Sequence, residues 1–172
     1  MKTPRHEVII RFKDHYLILL PTLRAIAAME CHFGLSVANL LRILCERGLT
    51  NEQCSYIVWI SARAAGCSDS YAEIRSYVEQ ENATTLSTAL EDFFFAALDA
   101  GSARPVVEND YFPWSDMQQL AFTALDLLPH EFWNLTFAEF KQMAFGFEEH
   151  EAFDTATLEI LMKKHPDITA ER

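Results

Sequence analysis

The chain has 172 residues, with 14 Lys+Arg against 25 Asp+Glu and a net charge of −11 when histidines are neutral. Half of the residues are hydrophobic and 12% are aromatic, which excludes disorder over most of the chain. The acidic balance excludes phosphate-driven binding of nucleic acid, and no run nears the roughly 20 apolar residues of a membrane span.

The chain opens on two β-prone runs, Val8–Phe12 and Tyr16–Leu20, around the polar Lys13-Asp14-His15, a pattern that predicts a β-hairpin. Helices follow. Pro21 suits a first helical turn, Leu23, Ile26, Ala27 and Glu30 recur at spacings of three and four, and Gly34 is a natural stop. Ser36 is placed to cap a second helix with Leu40, Leu41, Leu44 and Cys45 on its apolar face, ending before Gly48. Thr50 and Gln53 have the spacing of a capping box, opening a helix that carries Ile57, Ile60, Ala64 and Ala65 to Gly66. Ser68 or Asp69 offers the next cap, for a helix through Ile74 and Val78 to about Asn82. Thr84 or Thr85 then opens an apolar helix with Leu86, Leu90, Phe93, Phe94 and Ala97, stopped by Gly101.

Residues 101–112 break this periodicity with Gly, Pro and polar residues and read as a linker. The expected fold is mainly α: a β-hairpin plus helical domain over 1–100, the linker over 101–112, and a small helical segment over 113–172. Met117, Leu120, Ala121, Ala124, Leu125 and Leu128 continue at helical spacing until Pro129. Glu131-Phe132-Trp133 forms a short aromatic turn. Thr136 and Glu139 make a second capping box before Phe140, Met143, Ala144 and Phe147, and a last helix is expected over 155–164.

Charge and aromatics concentrate in the second part. Net charge is −3 over residues 1–100 and −8 over residues 101–172, and eleven aromatic residues fall between Tyr111 and Phe153. A small segment cannot easily bury that many rings internally, so part of the set is expected to contact an apolar partner helix, with the acidic surroundings favouring a basic one.

Catalytic and metal chemistry find little support. Cys31, Cys45, Cys54 and Cys67 form no close pair and read as reduced, buried side chains. His130-Glu131 lacks the second histidine of a zinc helix, and Glu148-Glu149-His150-Glu151 points in several directions and reads as a solvated helix end. There is no phosphate loop or nucleophile elbow. The expectation is no enzyme, no cofactor and no metal. The amino terminus shows no secretion signal, which predicts a cytoplasmic protein.

Residues 116–146 resemble the small phage tail assembly chaperones of gene-transfer-agent type. That family reads as an apolar helix, a Pro-x-Glu-Phe-Trp-x-Leu-Thr core, then x-x-Glu-Leu and a short helix to Gly. The core here is Pro129, Glu131, Phe132, Trp133, Leu135 and Thr136, followed by Glu139 with Phe140 where Leu is usual. Residues 7–66 are similar to the companion tail protein family encoded beside it, in the hairpin, Glu30 with Gly34, Leu40–Leu44, Gly48-Leu49-Thr50 and Ile57–Gly66. The Gly that family carries in its hairpin turn is absent here.

The resemblance implies an assembly factor in the bacterial host cytoplasm that binds and solubilises the tape-measure protein and helps recruit tail tube subunits. Self-association is compatible with it. Trp114, Phe132, Trp133, Phe137 and Phe140 are the expected contact set. Pro129, Glu131, Leu135, Thr136 and Glu139 are expected to set the turn and cap the helix. Two other readings stand beside it: a tail component retained in the particle, and an acidic nucleic-acid mimic that inhibits a host protein.

Overall fold

Both runs are rich in β-prone residues, and successive side chains of a paired ladder point to opposite faces, so one face of each is buried. The computed structural model, which describes residues 6–12, 15–99 and 111–145, pairs β1 (Val8–Phe12) with β2 (His15–Leu19) in antiparallel register. Val8 faces Leu19, Ile10 faces Leu17 and Phe12 faces His15, and Ile10, Phe12, Leu17 and Leu19 are all buried. The hairpin lies where the two β-prone runs predict it, with β2 shifted one residue earlier, to His15–Leu19.

Eight helices follow among the described residues: α1 (Leu23–Phe33), α2 (Val37–Arg47), α3 (Asn51–Ala64), α4 (Tyr71–Gln80), α5 (Ala83–Leu98), α6 (Trp114–Thr123), α7 (Pro129–Asn134) and α8 (Phe137–Phe145). Ser36 caps α2, and Thr50 and Gln53 close a reciprocal box at α3, as expected from sequence. Gly34 ends α1 in the left-handed region at φ 61°, where a side chain would be strained.

Several boundaries differ from the sequence expectation, each for a local reason. Pro21 precedes α1 because Thr22 is the cap, its hydroxyl accepting from Ala25 N–H at 3.2 Å. Ser70, not Ser68 or Asp69, caps α4, since only Ser70 has Glu73 three residues on to complete the box. Asn82 opens α5 rather than closing α4, its side chain accepting from Thr84 N–H at 2.8 Å. Asp99 ends α5 in the left-handed region before Gly101 is reached. α6 stops at Thr123 instead of running to Leu128: Asp126 takes φ 51° and Leu127 N–H turns back to Ala121 C=O at 3.0 Å. Residues 101–110 of the expected 101–112 linker and the expected helix over 155–164 lie outside the described residues, as does the 148–151 acidic cluster.

The main core gathers the inward hairpin face, α1 through Ile26 and Met29, and α2 to α5 through Leu40, Leu44, Ile57, Ile74, Leu90, Phe93 and Phe94. Ser61 C=O accepts from Leu20 N–H at 3.2 Å, tying the end of β2 to α3. All four cysteines are free, but only Cys54 is buried, where desolvation pushes its thiol up to about 11; Cys31 and Cys45 are exposed. Their helical positions face solvent because the apolar stripes of α1 and α2 pass beside them. No helix among the described residues is long and apolar enough to cross a membrane.

Candidate functional site: an aromatic cluster seated on α1

The carboxy-terminal segment builds its own small core. Pro129 sits at the first position of α7, where its missing N–H costs no hydrogen bond, and the Glu131 carboxylate accepts from Leu128 N–H at 2.8 Å. Thr136 and Glu139 close a buried box: Thr136 Oγ1 accepts from Glu139 N–H at 3.2 Å, and Glu139 Oε2 accepts from Thr136 N–H at 2.8 Å and from its hydroxyl at 3.1 Å. Two orphan amides at the start of α8 are thereby satisfied without water.

These turns bring six rings between residues 112 and 140 together. Phe132 meets Phe140 edge to face at 5.7 Å between centroids and Trp133 at 4.9 Å. Trp114 lies 5.8 Å from Trp133 and stacks on Phe112 at 5.2 Å, and Phe112 meets Phe137 edge-on at 4.9 Å. Each such pair is worth about 0.5–1.5 kcal/mol beyond the area it buries. Phe132, Phe137 and Phe140 are buried in this core with Met117, Leu120 and Ala121, while Trp114 and Trp133 are half-buried at its edge. Phe122, Leu128 and Met143 stand exposed on the same segment.

One member of this core comes from elsewhere. Leu23, the first residue of α1, is fully buried in the aromatic cluster. Its N–H donates to Leu135 C=O at 2.7 Å, and Thr22 and Thr136 form an isolated antiparallel bridge. Leu135 thus has a role that turn-setting alone does not describe, since its carbonyl anchors the start of α1.

A second anchor lies at the far end of α1. Glu30, almost fully buried, accepts from Trp114 Nε1–H at 2.8 Å and from Val37 N–H at 3.2 Å, with the Phe112 amide also bonded to it. Burial pushes its carboxyl above the usual range, and the hydrogen bonds from Trp114, Val37 and Phe112 pull the other way. Tyr111 Oη–H donates to Gly34 C=O at 2.7 Å, and Lys141 Nζ pairs with Asp99 Oδ2 at 2.6 Å, linking α8 to the end of α5.

Glu30 was the functional position least legible from chemistry-bearing motifs, yet a signal existed. It occupies the apolar stripe of α1, and a carboxylate at a buried helical position requires donors from another element. The donors come from Val37 at the start of α2, from Phe112 at the end of the expected linker and from Trp114 just beyond it.

The arrangement presents apolar surface of the kind that suits association. Among the described residues no three His, Cys, Asp or Glu side chains converge as a metal site. Exposed apolar groups and half-buried indoles ring a tightly packed aromatic floor that already accepts a leucine from a helix outside the segment.

Residues 112–168 match the family of phage tail assembly chaperone proteins, TAC. The match covers about a third of the chain and includes the whole Pro129–Glu139 core on which the resemblance rests. No curated protein matches the chain. No solved structure matches it either. Among the described residues the matched stretch holds α6, α7 and α8, and it is packed against α1 by Leu23 and Glu30.

Proposed function

We propose that the protein acts in the cytoplasm of the bacterial host as a phage tail assembly chaperone, binding and solubilising the tape-measure protein and helping to recruit tail tube subunits, with no catalytic step. The observation that carries this reading is the chaperone family match over an aromatic cluster that accepts an apolar helical side chain, Leu23.

Five of these rings form the docking element in two layers. Trp114 and Trp133 contact the partner helix from the edge of the cluster, and Phe132, Phe137 and Phe140 hold them in place from beneath. An amphipathic helix fits such a surface through anchors three and four residues apart. High net negative charge keeps the chaperone and its apolar cargo from aggregating.

Co-expression with the neighbouring tape-measure gene product tests the reading. A tape measure that is insoluble alone and is retained on the tagged chaperone in high salt supports it, because apolar docking is little screened. Absence of a complex in both low and high salt overturns it. Mass spectrometry of purified particles separates a departing chaperone from a retained tail component.

A further inference from the structure

We propose that the protein self-associates through β1, which pairs antiparallel with β1 of a second copy about a two-fold axis at Ile9. Among the described residues the sheet has two strands, and no ladder lies on the other side of β1 there. Unpaired edges are templates for pairing, and proteins that avoid it shorten, charge or cover them.

The outward face of the hairpin is apolar where it should be polar. Ile9 is 66% exposed and Tyr16 71%, with Ile18 half-buried beside them and Glu7 and Arg11 exposed on either side of Ile9. Neither Glu7 nor Arg11 has an ion pair among the described residues.

The spacing of those charges selects both the partner and the register. When β1 pairs antiparallel with its own copy about Ile9, Ile9 faces Ile9, Glu7 faces Arg11 of the second copy, and Arg11 faces its Glu7. Centring the pair on Val8 sets Glu7 against Ile9, and centring it on Ile10 sets Ile9 against Arg11, so both oppose a charge to an apolar residue. Only the Ile9 register makes every outward pair favourable, and opposite charges directly across a ladder stabilise it while like charges destabilise it.

The existing register extends the pattern. Ile9 already faces Ile18, and Arg11 faces Tyr16. The four-stranded sheet of the dimer therefore carries an unbroken row Ile18–Ile9–Ile9–Ile18 across its outer face, flanked on each side by Tyr16–Arg11–Glu7. A sheet of four strands with a contiguous apolar row is a more stable unit than two isolated hairpins. The interface is isologous, so it closes at two copies. It uses none of the residues of the chaperone segment and does not depend on the function proposed above.

Sedimentation velocity of the full chain, over a wide range of concentration, tests this. The wild type is expected to dimerise. Glu7→Lys, which sets Lys against Arg11 at both ends of the interface, is expected to weaken the dimer about tenfold. Glu7→Lys combined with Arg11→Glu restores opposite charges and is expected to restore it, while Ile9→Lys abolishes it. All three positions are exposed, so each variant should keep the wild-type circular dichroism and melting temperature. A monomer at every concentration, a dimer indifferent to Glu7→Lys and Ile9→Lys, or failure of the double reversal to rescue would each overturn the proposal.

Discussion

The Trp114 indole N–H donates to the Glu30 carboxylate across 2.8 Å, joining residues 84 apart in the chain. Glu30 lies in the last turns of α1 and Trp114 opens α6, so this hydrogen bond clasps the carboxy-terminal aromatic segment to the amino-terminal helices.

Trp114→Phe keeps the ring and removes the donor. The buried carboxylate then loses one of its bonds, and stability should fall by about 1–3 kcal/mol in urea unfolding. Combining it with Glu30→Ala should cost less than the sum of the two single variants, because the second change no longer strands a carboxylate. Strict additivity would show that the two side chains are not coupled.

Glu30 also predicts a pH dependence. Its carboxyl is raised in the folded state, so the native chain binds more protons than the unfolded chain just above the ordinary glutamate value of 4.5. Stability from this group is therefore fully present below that value and declines as pH rises through the folded value. Unfolding midpoints in urea across this range should show the decline, and Glu30→Gln should flatten it.

Phe132 and Trp133 are neighbours with different expected readouts. Phe132 is fully buried in the second core, so Phe132→Ala should lower stability by about 3–5 kcal/mol. Trp133 is half-buried, and Trp133→Ala should weaken capture of the tape measure more than it lowers the melting temperature. Collapse of the fold by Trp133→Ala, with no separable binding loss, would count against its docking role.

Thr136→Ala removes the cap of α8 and leaves the Glu139 amide without its acceptor in a buried position. The expected loss is about 0.5–2 kcal/mol in thermal or urea unfolding. Thr136→Ser retains the hydroxyl and should recover most of it.

Local signals were legible wherever one stretch of chain holds both partners of an interaction. The two β-prone runs of the hairpin, the boxes at Thr50/Gln53 and Thr136/Glu139, and the stop at Gly34 are all read locally, because each bond closes within a short stretch of chain. Shifts of one to three residues, as at Ser70 and Asn82, fall where neighbouring polar residues compete for one cap and the winner depends on a side chain three positions on or on the helix it joins. The aromatic richness of the chaperone segment and its family pattern were equally plain from the chain alone.

What composition and spacing determined by themselves is the mainly helical class, the hairpin and the acidic character; the chaperone pattern around Pro129–Glu139 rests on resemblance to a known family. Only the tertiary structure decided which rings are floor and which are edge, since Phe132 and Trp133 are adjacent and equally aromatic but point to different depths. It alone decided that Leu23 completes the aromatic core and that Glu30 receives Trp114. Helical periodicity says which face of a helix is apolar; it does not say which distant element covers that face, because burial depends on the packing of segments far apart in sequence.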